Sequence, residues 1–199
     1  MSLRSDIITA FSKSNKSCTD CLDSTSEATF WLYDPPSVKD GFTQLIIIES
    51  PGNNLKVENP NELTVEFAAL DKCLLPRAEK KCDCLLSYRT TGKLTLNWVE
   101  LKMETTTQNL NMLKKIIKGD IEHGGTDTGA ITQILNAKRV LSGMQVPLQK
   151  YQHRAHIGIP QRVEKVKNVS NTIQRLLRTL QSEHQITVNI GSVLRLTRK

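Results

Sequence analysis

The side chains best suited to chemistry fall between residues 82 and 102. Asp83 lies in Cys82-Asp83-Cys84, and Glu100-Leu101-Lys102 follows a short way along the chain. Two carboxylates supply the hard oxygen ligands that Mg²⁺ or Mn²⁺ prefers. An ion held in this way polarises a phosphate oxygen and lowers the pKa of a bound water. A lysine beside it can position that water and offset charge in the transition state. The chemistry these residue types support is metal-assisted hydrolysis of a phosphodiester.

Strands must position them. Alternate residues of a strand share a face. Read as a strand, 94–103 places Leu94, Leu96, Trp98, Glu100 and Lys102 on one side, with Thr95, Asn97, Val99, Leu101 and Met103 on the other. An apolar face therefore ends in a carboxylate and an amine. Buried charge costs free energy unless it is paired or coordinated, so this pair belongs at the open end of the strand or around an ion. Residues 82–88 read as a shorter strand, and Thr90-Thr91-Gly92-Lys93 as the hairpin turn between the two. At a strand spacing of ~5 Å, the right register brings Asp83 to Glu100. The sequence leaves that register open.

The remaining pattern supplies the frame. Residues 29–33 and 43–49 read as strands separated by the turn signals Asp34-Pro35-Pro36 and Asp40-Gly41. Leu63 to Phe67 alternates like a strand, and its continuation to Leu75 fits strand or helix equally. After Met103 the period changes, with Leu110, Leu113 and Ile117 at helical spacing. Gly124-Gly125 interrupts it, and Thr126 is placed to cap a second helix, 127–142, that carries Ile131, Ile134, Leu135 and Leu141. A strand over 154–159 ends at Pro160. Ser170 then caps an amphipathic helix with Ile173, Leu176, Leu177 and Leu180 on one face, and two short strands follow at 186–190 and 193–197. The expected fold is α/β (α+β), a mixed central sheet flanked by helices. It forms one domain over 1–199, with 1–27 a loose N-terminal arm and 150–199 a basic C-terminal part.

Asp83, followed by Glu100-Leu101-Lys102 on the next strand, resembles the PD-(D/E)XK nuclease superfamily over about residues 60–160, although Cys82 stands where the motif has Pro. The resemblance implies a restriction-endonuclease-like core: a helix, three antiparallel strands, a helix and a strand. It implies Asp83 and Glu100 as ligands of Mg²⁺ or Mn²⁺, Lys102 as the group that orients or activates water, and Gln133 on the following helix as an assisting residue. It also implies an upstream acid, a role open to Glu66 only if its segment is the first core helix. The implied activity is cleavage of DNA or RNA, of a kind that serves prokaryotic defence or mobile elements. A homodimer is natural where both strands of a duplex are cut. The alternative is a catalytically silent nuclease-like module that binds nucleic acid or a partner protein. A second Glu-x-Lys, Glu79-Lys80-Lys81, sits in a charged stretch with no strand pattern.

Composition narrows the setting. With 38% hydrophobic and 24% charged residues in 199, the chain is an ordinary globular one. Its longest aliphatic run, Leu45 to Ile48, falls far short of the ~20 residues of a membrane span. The start, Met1-Ser2-Leu3-Arg4, lacks a signal peptide's apolar region. A cytoplasmic protein without membrane association is expected. Five cysteines, an odd number, argue against a secreted disulfide framework. Cys18 and Cys21, with Cys82 and Cys84, either share a zinc ion or remain free thiols. From Lys150 onward ten Lys/Arg face two Asp/Glu, so the net charge of +7 resides in the last quarter. Arg175, Arg178, Lys165 and Lys167 there either contact a nucleic-acid backbone or simply solvate a helix. His153 and His156, three apart on a strand, face opposite ways and make a poor ligand pair. Gly124 to Gly129 lacks the Lys-Ser/Thr of a phosphate loop and reads as a loop and cap.

Overall fold

The computed structural model describes residues 2–13, 18–35, 41–48, 54–75, 82–102, 129–161 and 171–197. The alternating segment becomes the eight-residue strand β7 (Leu94–Leu101), joined as an antiparallel hairpin to β6 (Cys84–Arg89). Gly92, at φ 82°, supplies the left-handed residue that the tight turn requires. On the far side of β6 lies β5 (Val65–Ala69), and beyond it β1 (Leu22–Thr25), both antiparallel to their neighbours. On the far side of β7 the pairing becomes parallel, first to β8 (Tyr151–Gly158) and then to β9 (Thr187–Gly191). Parallel neighbours need a crossover. Helix α2 (Ala130–Gly143) provides one and α3 (Asn171–His184) the other. The two helices touch where Lys138 Nζ donates to the His184 carbonyl at 2.9 Å.

A second sheet has the order β10 (Val193–Arg195), β4 (Asn54–Glu58), β2 (Thr29–Tyr33), β3 (Gln44–Ile46), with β10 parallel to β4 and the other pairs antiparallel. The protein is thus a mixed α/β fold, with two mixed sheets and three α-helices among the described residues, the third helix being α1 (Leu3–Ser12). Among the described residues, no helix is long and apolar enough to cross a membrane.

Register assigns the faces of the six-stranded sheet. Glu66, Ser87, Leu96 and His153 lie side by side across β5 to β8. This face carries helices: Glu66 accepts the Leu3 N–H of α1 at 2.7 Å, and the Tyr151 hydroxyl donates to Asp6 of α1. The opposite face, with Phe67, Leu86, Val99 and Gly158, meets the second sheet. A Cβ on Gly158 would lie 3.2 Å from Leu101 Cδ2 and 3.4 Å from both Leu55 methyls. Gly158→Val should therefore overpack the sheet interface and cost about 1–3 kcal/mol in urea denaturation. An unchanged midpoint would mean that this contact is not close.

Several expectations are corrected. Residues 2–13 and 18–27, described within the expected loose arm, are not loose. Leu3, Ile7 and Phe11 recur at helical spacing and are buried, Ser2 and Ser5 form a capping box, and Lys150 ion-pairs with Asp6. The polar stretch after it still contributes β1 to the sheet edge. Cys21 is neither a zinc ligand nor a free thiol, because it is bonded to Cys73, while Cys18, Cys82 and Cys84 are free and buried. Helix α2 begins at Ala130, with Gly129 at its N-cap. Thr126, Leu110, Leu113, Ile117, Gly124, Gly125, Lys165, Lys167, Ser170 and residues 79–81 lie outside the described residues. The ambiguous stretch 63–75 is first strand β5 and then one π-helical turn, Leu70–Leu74.

Candidate metal centre

The hairpin register pairs Cys84 with Val99, so one step beyond it Asp83 stands opposite Glu100. Asp83 is tied down at both its main chain and its side chain. Its carbonyl accepts the Leu70 and Asp71 N–H groups of the π turn at 2.8 and 3.3 Å, and its Oδ2 accepts the Leu101 N–H at 2.5 Å. The Cys82 N–H donates to the Gln133 carbonyl at 3.2 Å, joining the start of this strand to the first turn of α2. On the other side, the Lys102 N–H donates to the Gly158 carbonyl at 2.7 Å and holds the end of β7 against β8.

These ties bring four side chains together. Lys102 Nζ lies 2.6 Å from Glu100 Oε1 and donates to Gln133 Oε1 at 3.1 Å. Glu100 is 2% exposed, and its second oxygen, Oε2, has no hydrogen-bond partner among the described residues. A buried acceptor left in this way is costly, by about 1–3 kcal/mol. Glu100, Lys102 and Gln133 are thus in contact, and Asp83 stands opposite Glu100 with its carboxylate on the Leu101 N–H. Glu66 does not join them. Its segment is a strand and not a helix, and its carboxylate caps α1. His153 and His156 do face opposite sides. Trp98 Nε1 donates to His153 Nδ1 at 3.1 Å, so His153 Nε2–H donates to the Leu148 carbonyl at 3.0 Å. Burial, helped by the Lys138 charge, pushes His153 down to about 4 and keeps that ring neutral.

The carboxylates are held uncomfortably. Burial pushes Glu100 up to about 7, with Lys102 opposing and Asp71 and Asp34 adding to the rise. Burial also raises Asp83 well above the usual carboxylate range, reinforced by the charges of Glu100 and Asp34 and opposed by the Leu101 N–H and Lys102. The sequence does not mark Asp71 or Asp34 as neighbours of the site. Asp71 sits in the π turn, and Asp34 follows β2 and accepts the Thr43 hydroxyl at 3.3 Å. No linear motif marks either one. Asp34 stands in a turn-like Asp-Pro-Pro, and only the second sheet brings it near.

The donor set fits a small hard cation. Two carboxylates with an unpartnered oxygen lie amid an excess of negative charge that a divalent ion would offset. The flanking Cys82 and Cys84 thiols are raised by burial and by these same carboxylates, so they stay protonated and are poor ligands. Among the described residues, no three His, Cys, Asp or Glu form a ready-made cluster. A cation placed here would have Asp83 and Glu100 as its candidate protein ligands. In comparison with known proteins, the chain matches no family model, no curated protein and no solved structure.

Proposed function

We propose that this protein is a metal-dependent nuclease that hydrolyses phosphodiester bonds of DNA or RNA. The observation that carries the reading is the unpartnered Glu100 Oε2, buried at the strand end beside Asp83 and next to a lysine that is already fixed. The succession of antiparallel β5, β6 and β7, then α2 and the parallel β8, supports the resemblance to the PD-(D/E)XK core. Asp83 and Glu100 would hold Mg²⁺ or Mn²⁺, which supplies phosphate polarisation and a more acidic water when bound.

The chain's own groups do the rest. Gln133 Oε1 and Glu100 Oε1 together orient the Lys102 ammonium, whose positive charge can offset charge developing on the phosphate. The Leu101 N–H fixes the Asp83 carboxylate. Arg175 and Arg178, exposed on α3 in the basic C-terminal part, offer phosphate contacts. In this reading the protein is cytoplasmic and serves defence or mobile-element biology, with a homodimer setting two centres on a duplex.

The test is cleavage of labelled single- and double-stranded DNA and RNA with Mg²⁺, Mn²⁺ or EDTA. Cutting that requires the metal is expected. Retained affinity with no cutting under any condition would replace the enzyme with the silent binding module.

A further inference from the structure

The side chain of Asp83 is held by the Leu101 N–H of β7, and its main chain by a turn. The turn Leu70–Leu74 follows β5 directly, sends the Leu70 and Asp71 N–H groups to the Asp83 carbonyl, and closes with the Leu75 N–H on the Leu70 carbonyl at 3.0 Å. Single π-helical turns are rare, and they often mark functional positions. This one has a covalent anchor. Cys73 within it is bonded to Cys21, the last residue of the 3₁₀ turn Thr19–Cys21, from which β1 starts. Among the described residues, strand β1 lies at the sheet edge and pairs only with β5.

We propose that the Cys21–Cys73 disulfide is a redox device for the metal centre. Oxidised, it fixes the π turn and so Asp83. Reduced, it frees the turn and weakens binding of a divalent cation. This rests on the reading of Asp83 and Glu100 as cation ligands.

The reductant is a dithiol. Cys73 is partly exposed and Cys21 buried, so an incoming thiolate reaches the Cys73 sulfur first. Its attack forms a mixed disulfide on Cys73 and expels the Cys21 thiolate, which takes up a proton. The second thiol of the reductant then displaces Cys73 as a thiolate, which is protonated in turn. The protein gains two electrons and two protons, and the reductant leaves as its own disulfide. Cys18 is buried, with its thiol raised by burial, and makes a poor internal competitor for this exchange. In a reducing compartment the resting form is the slack one, and oxidation switches the centre on.

The experiment compares the oxidised chain with the chain reduced by dithiothreitol. It reads Mn²⁺ affinity by electron paramagnetic resonance and amide protection by hydrogen exchange. Reduction should weaken Mn²⁺ binding by about tenfold or more, as loss of a supporting shell does elsewhere. The Leu70 and Asp71 amides should lose protection while Val99 in β7 keeps it. Cys21→Ser with Cys73→Ser should reproduce the reduced state and ignore the reductant. Equal Mn²⁺ affinity in both redox states overturns the device and leaves the metal reading standing. Loss of protection at Val99 as well overturns it too, because the bond would then hold the whole fold. An oxidised chain that binds no Mn²⁺ removes the metal reading and this proposal together.

Discussion

Glu100→Gln is expected to lower metal-dependent cleavage on the order of 10³-fold, comparable to losing a well-placed electrostatic group elsewhere. The replacement keeps the volume of a side chain that is 2% exposed, so the sheet should fold around it. It removes the charge that a hard cation needs and the partner of Lys102. It also removes a buried carboxylate with an unpartnered oxygen, so the metal-free protein should become more stable by about 1–3 kcal/mol. Lys102→Ala should cost a similar amount of activity for a different reason. It strips the ammonium from Glu100 and Gln133 and leaves both less satisfied, so stability should fall and not rise. Cleavage rates and urea midpoints for the two variants separate the roles. A Glu100→Gln protein that is less stable and equally active would mean that Glu100 is only half of a structural ion pair.

The second large effect concerns pH. Glu100 titrates near 7 in the folded chain, against a usual value of 4.5, so between those values the folded state holds a proton that the unfolded state has lost. Without metal, stability must therefore fall as pH rises from about 4.5 to about 7, by on the order of 3 kcal/mol. Asp83, raised in the same direction, adds to that slope. A bound cation reverses the preference, since it requires both carboxylates ionised. Thermal melts at pH 5 and pH 8, each with and without Mn²⁺, should show the metal raising Tm strongly at pH 8 and little at pH 5. The two carboxylates share this titration, so the midpoint belongs to the pair. A metal-induced gain that is the same at both pH values would place the ion elsewhere.

Much of this centre was legible because strand alternation is strict. Once 94–101 is a strand, Trp98 and Glu100 must share a face, but the register that sets Asp83 opposite Glu100 is left open by the sequence and comes from the hairpin itself. Gln133 was reachable only through the resemblance, since nothing in helical periodicity says which turn of α2 lies over the end of β7. Asp71, Asp34 and the Cys21–Cys73 bond were out of reach for one common reason. Each depends on contacts between segments far apart in sequence, and no local pattern encodes them. Helix α1 was missed differently. Leu3, Ile7 and Phe11 have the right spacing, but the polar run after them drew the whole segment into a loop. Strand β4 is hard to see in the sequence although Leu55 and Val57 alternate and are buried, because Pro51-Gly52-Asn53-Asn54 directly before it is a strong turn signal.

The parallel pairing of β10 with β4 has a consequence for how the protein is made. Strand β4 leaves the ribosome early, and its partner comes after every other strand. At ~5–20 residues per second, the β4 edge waits roughly ten seconds or more with unpaired N–H and C=O groups. Such an edge is a template for another chain. Nascent copies crowded on one messenger are the nearest source, so slow decoding ahead of residue 193 should favour aggregates over the folded product.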